Sequence, residues 1–207
     1  MRSGTGEWQS EIPSGKGPKR SMKTVTIFGS SHPAEGSAAY EEARRLGRLL
    51  AEGGFAVCNG GYAGLMEASA RGAREAGGHT IGVTCALWRA AANPYILEEL
   101  RAGSFLERLT TLIERGDAYV VLPGGTGTLA ELALVWEMMN KSALARTVGG
   151  RKPLLVMSPY WQPVIDCLKQ EGELNSKADW RAPAMGIVSM VFGPDEAASL
   201  LKAKLKS

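Results

Sequence analysis

The residues best suited to chemistry lie in one short segment, residues 117–131. It begins with an apolar, β-branched run, residues 118–122, that predicts a buried strand. A proline and three glycines follow, and from Leu129 the apolar residues recur at helical spacing. Free main-chain N–H groups and the positive end of the helix dipole would then face the loop. This order predicts a phosphate site with two hydroxyl donors, formed by Gly124, Gly125, Thr126, Gly127 and Thr128.

Two charged residues accompany this loop. Glu131 falls about one turn into the predicted helix, where an acid can simply complement the helix dipole. Beside a bound phosphate its charge would be unfavourable, which favours a role toward the sugar or a reacting water. Arg108 lies within an apolar helical stripe, between Phe105 and Leu112. Such an arginine must reach solvent or meet an anion, and either a salt bridge to Glu131 or a bound substrate would satisfy it.

Three motifs together resemble those of the LOG family, whose members are often mislabelled lysine decarboxylases. The sequence PGGTGTLAE at residues 123–131 is similar to the family signature PGGxGTxxE. FGSS at residues 28–31 resembles the first-strand GSS loop, and NGGYAGLM at residues 59–66 resembles the GGGxxGLMG loop. Characterised members are cytokinin riboside 5′-monophosphate phosphoribohydrolases. The resemblance implies catalytic roles for Arg108 and Glu131, and further nucleotide contacts from Gly29, Ser30, Ser31, Gly60 and Gly61.

The chain departs from the family pattern in the segment that carries Arg108. Where members have MHxRK, residues 105–109 read FLERL, so the arginine is kept while Phe105, Leu106 and Leu109 replace the methionine, histidine and lysine. The first glutamate of the family's GTxEE is Ala130 here. These replacements bear on base preference and on activity itself. A non-enzymatic carrier of a nucleotide or of molybdenum cofactor, on the same fold, is therefore the alternative function.

The elements that must position these residues alternate along the chain. Apolar runs predict strands at residues 24–28, 56–58, 80–83, 118–122, 154–157 and 186–191. Helical spacing predicts helices at residues 38–52, 65–76, 97–114, 129–141 and 163–171, with Pro194 beginning a last one. This alternation is typical of an α/β fold, a Rossmann-like doubly wound parallel sheet. The glycine loops all follow strands, so we expect them to line one cleft.

Composition limits the remaining possibilities. Residues 23–207 can form a single domain, whereas residues 1–22 are rich in Gly, Ser and Pro and are predicted to be disordered. A net charge of +3 without an aromatic-interleaved basic stripe disfavours nucleic acid, and no apolar run is long enough to predict a membrane span. Three separated cysteines, Cys58, Cys85 and Cys167, predict reduced, buried thiols and a cytoplasmic location. His32 and His79 lack metal-ligand spacing, so we expect loop or strand-edge positions and no metal.

A dinucleotide site is the nearest competing interpretation of the glycine loop. Gly125, Gly127 and Ala130 fit G-x-G-x-x-A, but that fingerprint normally follows the first strand, and this loop follows the fourth predicted one. No acid lies about 20 residues onward to hold a ribose. The family resemblance implies hydrolysis of the N-glycosidic bond of a purine nucleoside 5′-monophosphate, AMP or N6-modified AMP, without a cofactor. The resemblance implies a homodimer.

Overall fold

The computed structural model describes residues 22–144, 152–157, 159–174 and 186–206. Strands and helices alternate along these residues almost throughout. The strands are β1 (Thr24–Phe28), β2 (Ala56–Asn59), β3 (Thr80–Cys85), β4 (Glu98–Ala102), β5 (Ala118–Val121), β6 (Leu154–Met157) and β7 (Val188–Val191). The helices are α1 (Ala38–Glu52), α2 (Leu65–Glu75), α3 (Phe105–Arg115), α4 (Thr126–Leu144), α5 (Gln162–Leu174) and α6 (Pro194–Leu205), with a 3₁₀ turn at Pro159–Trp161. The segment predicted to be disordered, residues 1–22, lies outside the described residues except for Met22.

All seven of these strands are parallel and form one sheet in the order β4-β3-β2-β1-β5-β6-β7. The chain builds outward from β1 to β4, then returns to the other side of β1 to continue with β5. The order therefore reverses between β1 and β5, which pair with Phe28 opposite Val121. Ligands of doubly wound sheets bind beyond the carboxyl ends of strands at such a reversal. The predicted α/β, Rossmann-like class is confirmed.

Alternate side chains of each strand enter two apolar layers. On β1, Val25 and Ile27 join a cluster with α1 and α6, whereas Phe28 joins a second cluster with α3 and α4. Both clusters are almost fully buried. Because both faces of the sheet are covered, the strand sequences are largely continuous apolar runs. None of the helices in the described residues has the length and hydropathy that a membrane crossing demands.

The helix predicted at residues 97–114 is wrong over its first part. Residues 98–102 form the edge strand β4, in which inward and outward side chains alternate in burial. The helix starts later because Ser104 caps it: the Ser104 hydroxyl accepts from the Glu107 amide at 3.1 Å, and the Glu107 carboxylate accepts from the Gly103 amide at 2.7 Å. The glycine loop consequently follows the fifth strand, and α4 begins at Thr126, three residues earlier than predicted.

The cysteine prediction is correct for two of the three thiols. Cys58 and Cys85 are buried in β2 and β3, but Cys167 is exposed on α5. Two positions before Cys167, Ile165 is buried against the sheet, and residues two apart lie on opposite sides of a helix. Cys167 therefore lies outside the buried apolar face of α5.

Helices α1 and α2 cross at two glycines. A Cβ on Gly47 would overlap the Ser69 carbonyl, and one on Gly72 would overlap the Arg44 carbonyl. Around this contact the Glu75 carboxylate accepts from Arg44 at 2.6 Å and from Arg48 at 2.8 Å. The arginines, Arg44 first, hold the pKa of Glu75 at about 2, well below its usual range. These groups are partly exposed, so the glycine contact contributes more to helix packing than the ion pairs do.

We predict that Gly47→Ala and Gly72→Ala each lower the free energy of unfolding by about 2 kcal/mol or more, because the helices must move apart. Alanine within a helix ordinarily stabilises by about 1 kcal/mol over glycine, so the expected sign is opposite to propensity. Urea unfolding measures the change. Gly127→Ala is the control, since no atom lies within 4 Å of its added Cβ. Unchanged or raised stability of the Gly47 and Gly72 variants would contradict this account.

Candidate functional site

A cavity of about 490 Å³ lies where the strand order reverses. Most of the predicted site residues line it: Gly29, Ser30, Ser31, Arg108, Gly125, Thr126, Gly127, Thr128 and Glu131. Gly60, Gly61 and Gly124 are absent from its lining. Six lining residues were not among the predicted site residues: His32, Tyr62, Met66, Trp88, Ala90 and Phe105. Four loops and three helices thus meet at one opening.

The start of α4 forms one wall of the cavity. The first main-chain bond of this helix runs from the Leu129 amide to the Gly125 carbonyl at 3.0 Å. The amides of Thr126, Gly127 and Thr128 precede that bond, so they are the N–H groups that a helix leaves without an internal carbonyl partner. Together with the helix dipole, they favour an anion at this wall.

The glycines at the start of α4 and in the loop before it are needed for their lack of a side chain and not for a special backbone conformation. Residues Gly124, Gly125 and Gly127 do not have positive φ angles, so the tight turn expected from the sequence does not itself require glycine. A Cβ on Gly124 would overlap the Thr128 side chain, whereas one on Gly125 or Gly127 would meet no atom within 4 Å. The last two face the cavity, and the missing side chains leave room for a ligand to approach the main chain.

The loop after β1 is fixed against the loop before α4. The Ser30 amide donates to the Pro123 carbonyl at 3.1 Å, and the Ser30 carbonyl accepts from the Leu65 amide at 2.9 Å. Gly64, with φ of 70°, allows this contact, because a Cβ there would overlap Ser31. The hydroxyl that caps α1 belongs to Ser37, so Ser30 and Ser31 do not cap that helix.

Arg108 is buried at the floor of the cavity, with 5% of its surface exposed. Its Nε donates to the Val83 carbonyl at 2.8 Å, and its Nη2 donates to the Gly60 carbonyl at 3.3 Å. A side chain on Gly60 would overlap the guanidinium. The second glycine loop therefore supports Arg108 from beneath, which explains why Gly60 does not itself line the cavity.

Glu131 faces Arg108 across the cavity floor. One Glu131 carboxylate oxygen accepts from Arg108 Nη1 at 3.5 Å, and Glu131 is only 8% exposed. Burial raises the pKa of Glu131 to about 7, and the neighbouring Arg108 opposes that rise. The salt bridge considered from sequence is thus present, and it lies within the cavity lining. A carboxyl with a pKa near neutrality can exchange a proton under ordinary conditions.

An aromatic wall, defined as Tyr62, Trp88 and Phe105, also lines the cavity. The Tyr62 and Trp88 ring centroids are 5.5 Å apart, and those of Trp88 and Phe105 are 6.1 Å apart. The Arg108 guanidinium carbon lies 5.1 Å from the Trp88 centroid and 5.7 Å from that of Tyr62. Sequence spacing gave no signal for Trp88, because it lies in a loop between β3 and β4. Among the described residues, no group of three or more His, Cys, Asp and Glu side chains could hold a metal ion.

Comparisons with known proteins agree with this geometry. The model of the SLOG cluster4 family matches residues 22–157. The chain is 34% identical over 131 residues to the probable cytokinin riboside 5′-monophosphate phosphoribohydrolase LOGL9 of Oryza sativa subsp. japonica, covering 62% of this chain and 58% of that protein. It is 34% identical over 116 residues to the cytokinin riboside 5′-monophosphate phosphoribohydrolase of Mycobacterium tuberculosis, covering 55% of this chain and 62% of that protein. The chain thus spans less than two thirds of either relative's length.

A solved structure shows the same fold. The molybdenum cofactor binding protein of the phototrophic bacterium Rippkaea orientalis superposes with a TM-score of 0.67 at 22% identity, covering 89% of this chain and 98% of that chain. At this identity the likeness concerns the fold.

We predict that Glu131→Gln becomes more stable relative to the unmodified protein as the pH rises from 4.5 to 8. The unfolded Glu131 ionises near pH 4.5 and the folded one near 7, so the unmodified protein loses stability across that interval and glutamine does not. At about 1.4 kcal/mol per pH unit, the difference in unfolding free energy should change by up to about 3 kcal/mol. Urea unfolding at several pH values measures it.

Glu137→Gln is the matched control on the same helix. Its exposed carboxylate is paired with Lys141 at 3.0 Å, which lowers the pKa of Glu137. The control should therefore show a small change of the opposite sign. A pH-independent difference for Glu131→Gln would mean that the carboxyl is not perturbed by burial.

Proposed function

The chain belongs to the SLOG cluster4 family, and from that premise we propose that it hydrolyses the N-glycosidic bond of a purine nucleoside 5′-monophosphate, releasing the free base and ribose 5-phosphate. The observation that carries this proposal is the buried Arg108–Glu131 pair beside the open start of α4. An anion site and a perturbed carboxyl within one cavity are what cleavage of a phosphorylated sugar needs. The two curated relatives, named as phosphoribohydrolases, support the same reaction class.

In this proposal the phosphate anchors the substrate. The 5′-phosphate binds at Gly125, Thr126 and Gly127, where amides and the helix dipole favour negative charge. Glu131 lies one turn further along the same helix, at the cavity floor. A ribose bound from the phosphate toward that floor brings C1′ to the carboxylate. Holding the sugar at both ends positions C1′ against the carboxylate, and such positioning can lower the activation barrier by several kcal/mol.

The chemical step breaks the bond between C1′ and the base nitrogen. That electron pair leaves with the base, and positive charge develops on the sugar as in other glycoside hydrolyses. Ionised Glu131 stabilises this charge and accepts a proton from the water that attacks C1′. The water oxygen becomes the 1-hydroxyl of ribose 5-phosphate, and the proton is passed on to the departing base. Arg108 holds Glu131 in place and, by opposing the rise of its pKa, favours the ionised form of the carboxyl at neutral pH.

The aromatic wall is where the base binds in this proposal. Tyr62, Trp88 and Phe105 present rings, and Met66 and Ala90 complete an apolar surface. Such a surface recognises a planar base by stacking and tolerates an apolar substituent on it. AMP and N6-modified AMP are therefore the proposed substrates.

A carrier function is the second candidate. It is favoured by the segment at residues 105–109, where Leu106 and Leu109 stand in place of the histidine and lysine of the family pattern and Phe105, in place of the methionine, lines the cavity. A nucleotide or molybdenum cofactor would then be held by its phosphate without turnover. The homodimer, the cytoplasmic location and the absence of a nucleic-acid partner stay predictions.

We expect Glu131→Gln to lower kcat by about 10²-fold or more while the dissociation constant of ribose 5-phosphate changes only a few-fold, because the amide keeps the shape and loses the charge. Free-base release from AMP, N6-modified AMP and the matching nucleosides measures this. Release from the monophosphates but not the nucleosides supports the phosphate anchor. Binding of nucleotides or a pterin cofactor without any release would favour the carrier.

We expect Gly125→Ala and Gly127→Ala to keep the free energy of unfolding but raise KM for AMP about tenfold or more. An added methyl group meets no protein atom at either position, yet it occupies space that the phosphate needs. Steady-state kinetics and urea unfolding on the same preparations separate the two effects. An unchanged KM in both variants would mean that the phosphate does not bind beside Gly125 and Gly127.

A further inference from the structure

We propose that His32 binds the substrate's phosphate through its Nε2–H group, an inference that rests on the proposed function. His32 follows β1 and lines the same cavity as the start of α4. From the sequence it was expected to be an ordinary loop residue. Its position in the cavity and its hydrogen bonds assign it a binding role instead.

Among the described lining residues of the cavity, the paired Arg108 is the sole lysine or arginine available to balance the charge of a phosphate. Among its described lining residues, Arg108 and Glu131 carry opposite charges and are paired with each other. Arg108 also donates to two main-chain carbonyls and lies against two aromatic rings, so its guanidinium is already occupied. The helix start contributes only about half a positive charge. A phosphate monoester therefore lacks a dedicated side-chain cation, and His32 contributes the imidazole of the described lining, whose ring N–H can donate to a phosphate oxygen.

Hydrogen bonds to Ser30 determine which ring nitrogen of His32 is available. The Ser30 hydroxyl oxygen accepts from the His32 main-chain amide at 3.1 Å and lies 3.1 Å from His32 Nδ1. When the Ser30 hydroxyl donates to Nδ1, the neutral imidazole carries its proton on Nε2. In the charged imidazole both nitrogens carry protons, and Nδ1 donates to Ser30. In that tautomer, and in the charged imidazole, Nε2 is the ring donor that Ser30 leaves available to a phosphate oxygen.

The loop that carries His32 is held in place on two sides. The Ser30 amide is bonded to Pro123, the residue just before the glycines of the phosphate loop, and the Ser30 carbonyl is bonded to the start of α2. Gly64 permits the second contact by its lack of a side chain. His32 is therefore presented by a fixed turn that is attached directly to the phosphate loop. The imidazole and the start of α4 therefore line the same cavity.

The test is the dissociation constant of ribose 5-phosphate, measured by titration calorimetry on the intact chain. We expect His32→Ala to weaken binding about tenfold or more, the loss typical of one charge-assisted hydrogen bond. His32→Gln should recover most of the affinity, because the glutamine amide nitrogen can replace Nε2 as a donor. Binding of adenine should be unchanged in both variants.

The matched control is His79→Ala. His79 precedes β3, at the amino-terminal end of that strand, and does not line the cavity. Its ring lies 3.1 Å from the Glu98 carboxylate, so its removal should leave ribose 5-phosphate binding intact. Equal affinity of His32→Ala and the unmodified protein would overturn the role of His32 while leaving the proposed reaction untouched. Weaker binding of adenine in a folded His32→Ala protein would assign His32 to the base and overturn it as well. No binding of ribose 5-phosphate by the unmodified protein would overturn both proposals.

Discussion

The burial of one charged pair governs the arrangement of this cavity. Arg108 and Glu131 are both nearly excluded from water, and such a pair is tolerated only when every remaining donor and acceptor is satisfied. Val83 and Gly60 supply main-chain carbonyls to Arg108, and two aromatic rings cover its faces. Glu131 receives less support: burial raises its pKa to about 7. The protein therefore holds a carboxyl with a raised pKa next to an arginine whose three guanidinium nitrogens each donate to a protein acceptor.

Missing side chains have two distinct uses around that pair. At Gly60, Gly64 and Gly124 a Cβ would overlap a neighbouring group, so these glycines let protein segments pack closely. At Gly125 and Gly127 no protein atom is near, and the space belongs to the cavity. The first group assembles the site and the second leaves it open. A glycine-rich motif read from sequence contains both kinds without distinguishing them.

The cavity lining combines two kinds of chemistry. Hydroxyls, amides and an imidazole line it together with the aromatic wall. A ligand with a phosphate at one end and a planar apolar group at the other fits this combination, which applies to a nucleotide and to a phosphorylated pterin alike. The Arg108–Glu131 pair in this lining favours the proposed hydrolysis over storage, because a carrier has no need of a carboxyl whose pKa lies near neutrality.

The sequence by itself determined the α/β class and most of the strands and helices, because strand runs, glycine turns and helical stripes are local patterns. It predicted the phosphate loop, and it left open whether Arg108 pairs with Glu131 or binds a substrate. It failed at residues 97–102, since an edge strand is half exposed and its charged residues read as helix surface. Only the tertiary structure decided which residues share the cavity. Trp88 and His32 come from loops without periodicity, and they meet α4 because parallel strands bring their carboxyl ends to one edge. The pKa of Glu131 likewise depends on burial by distant segments, a quantity that no local pattern contains.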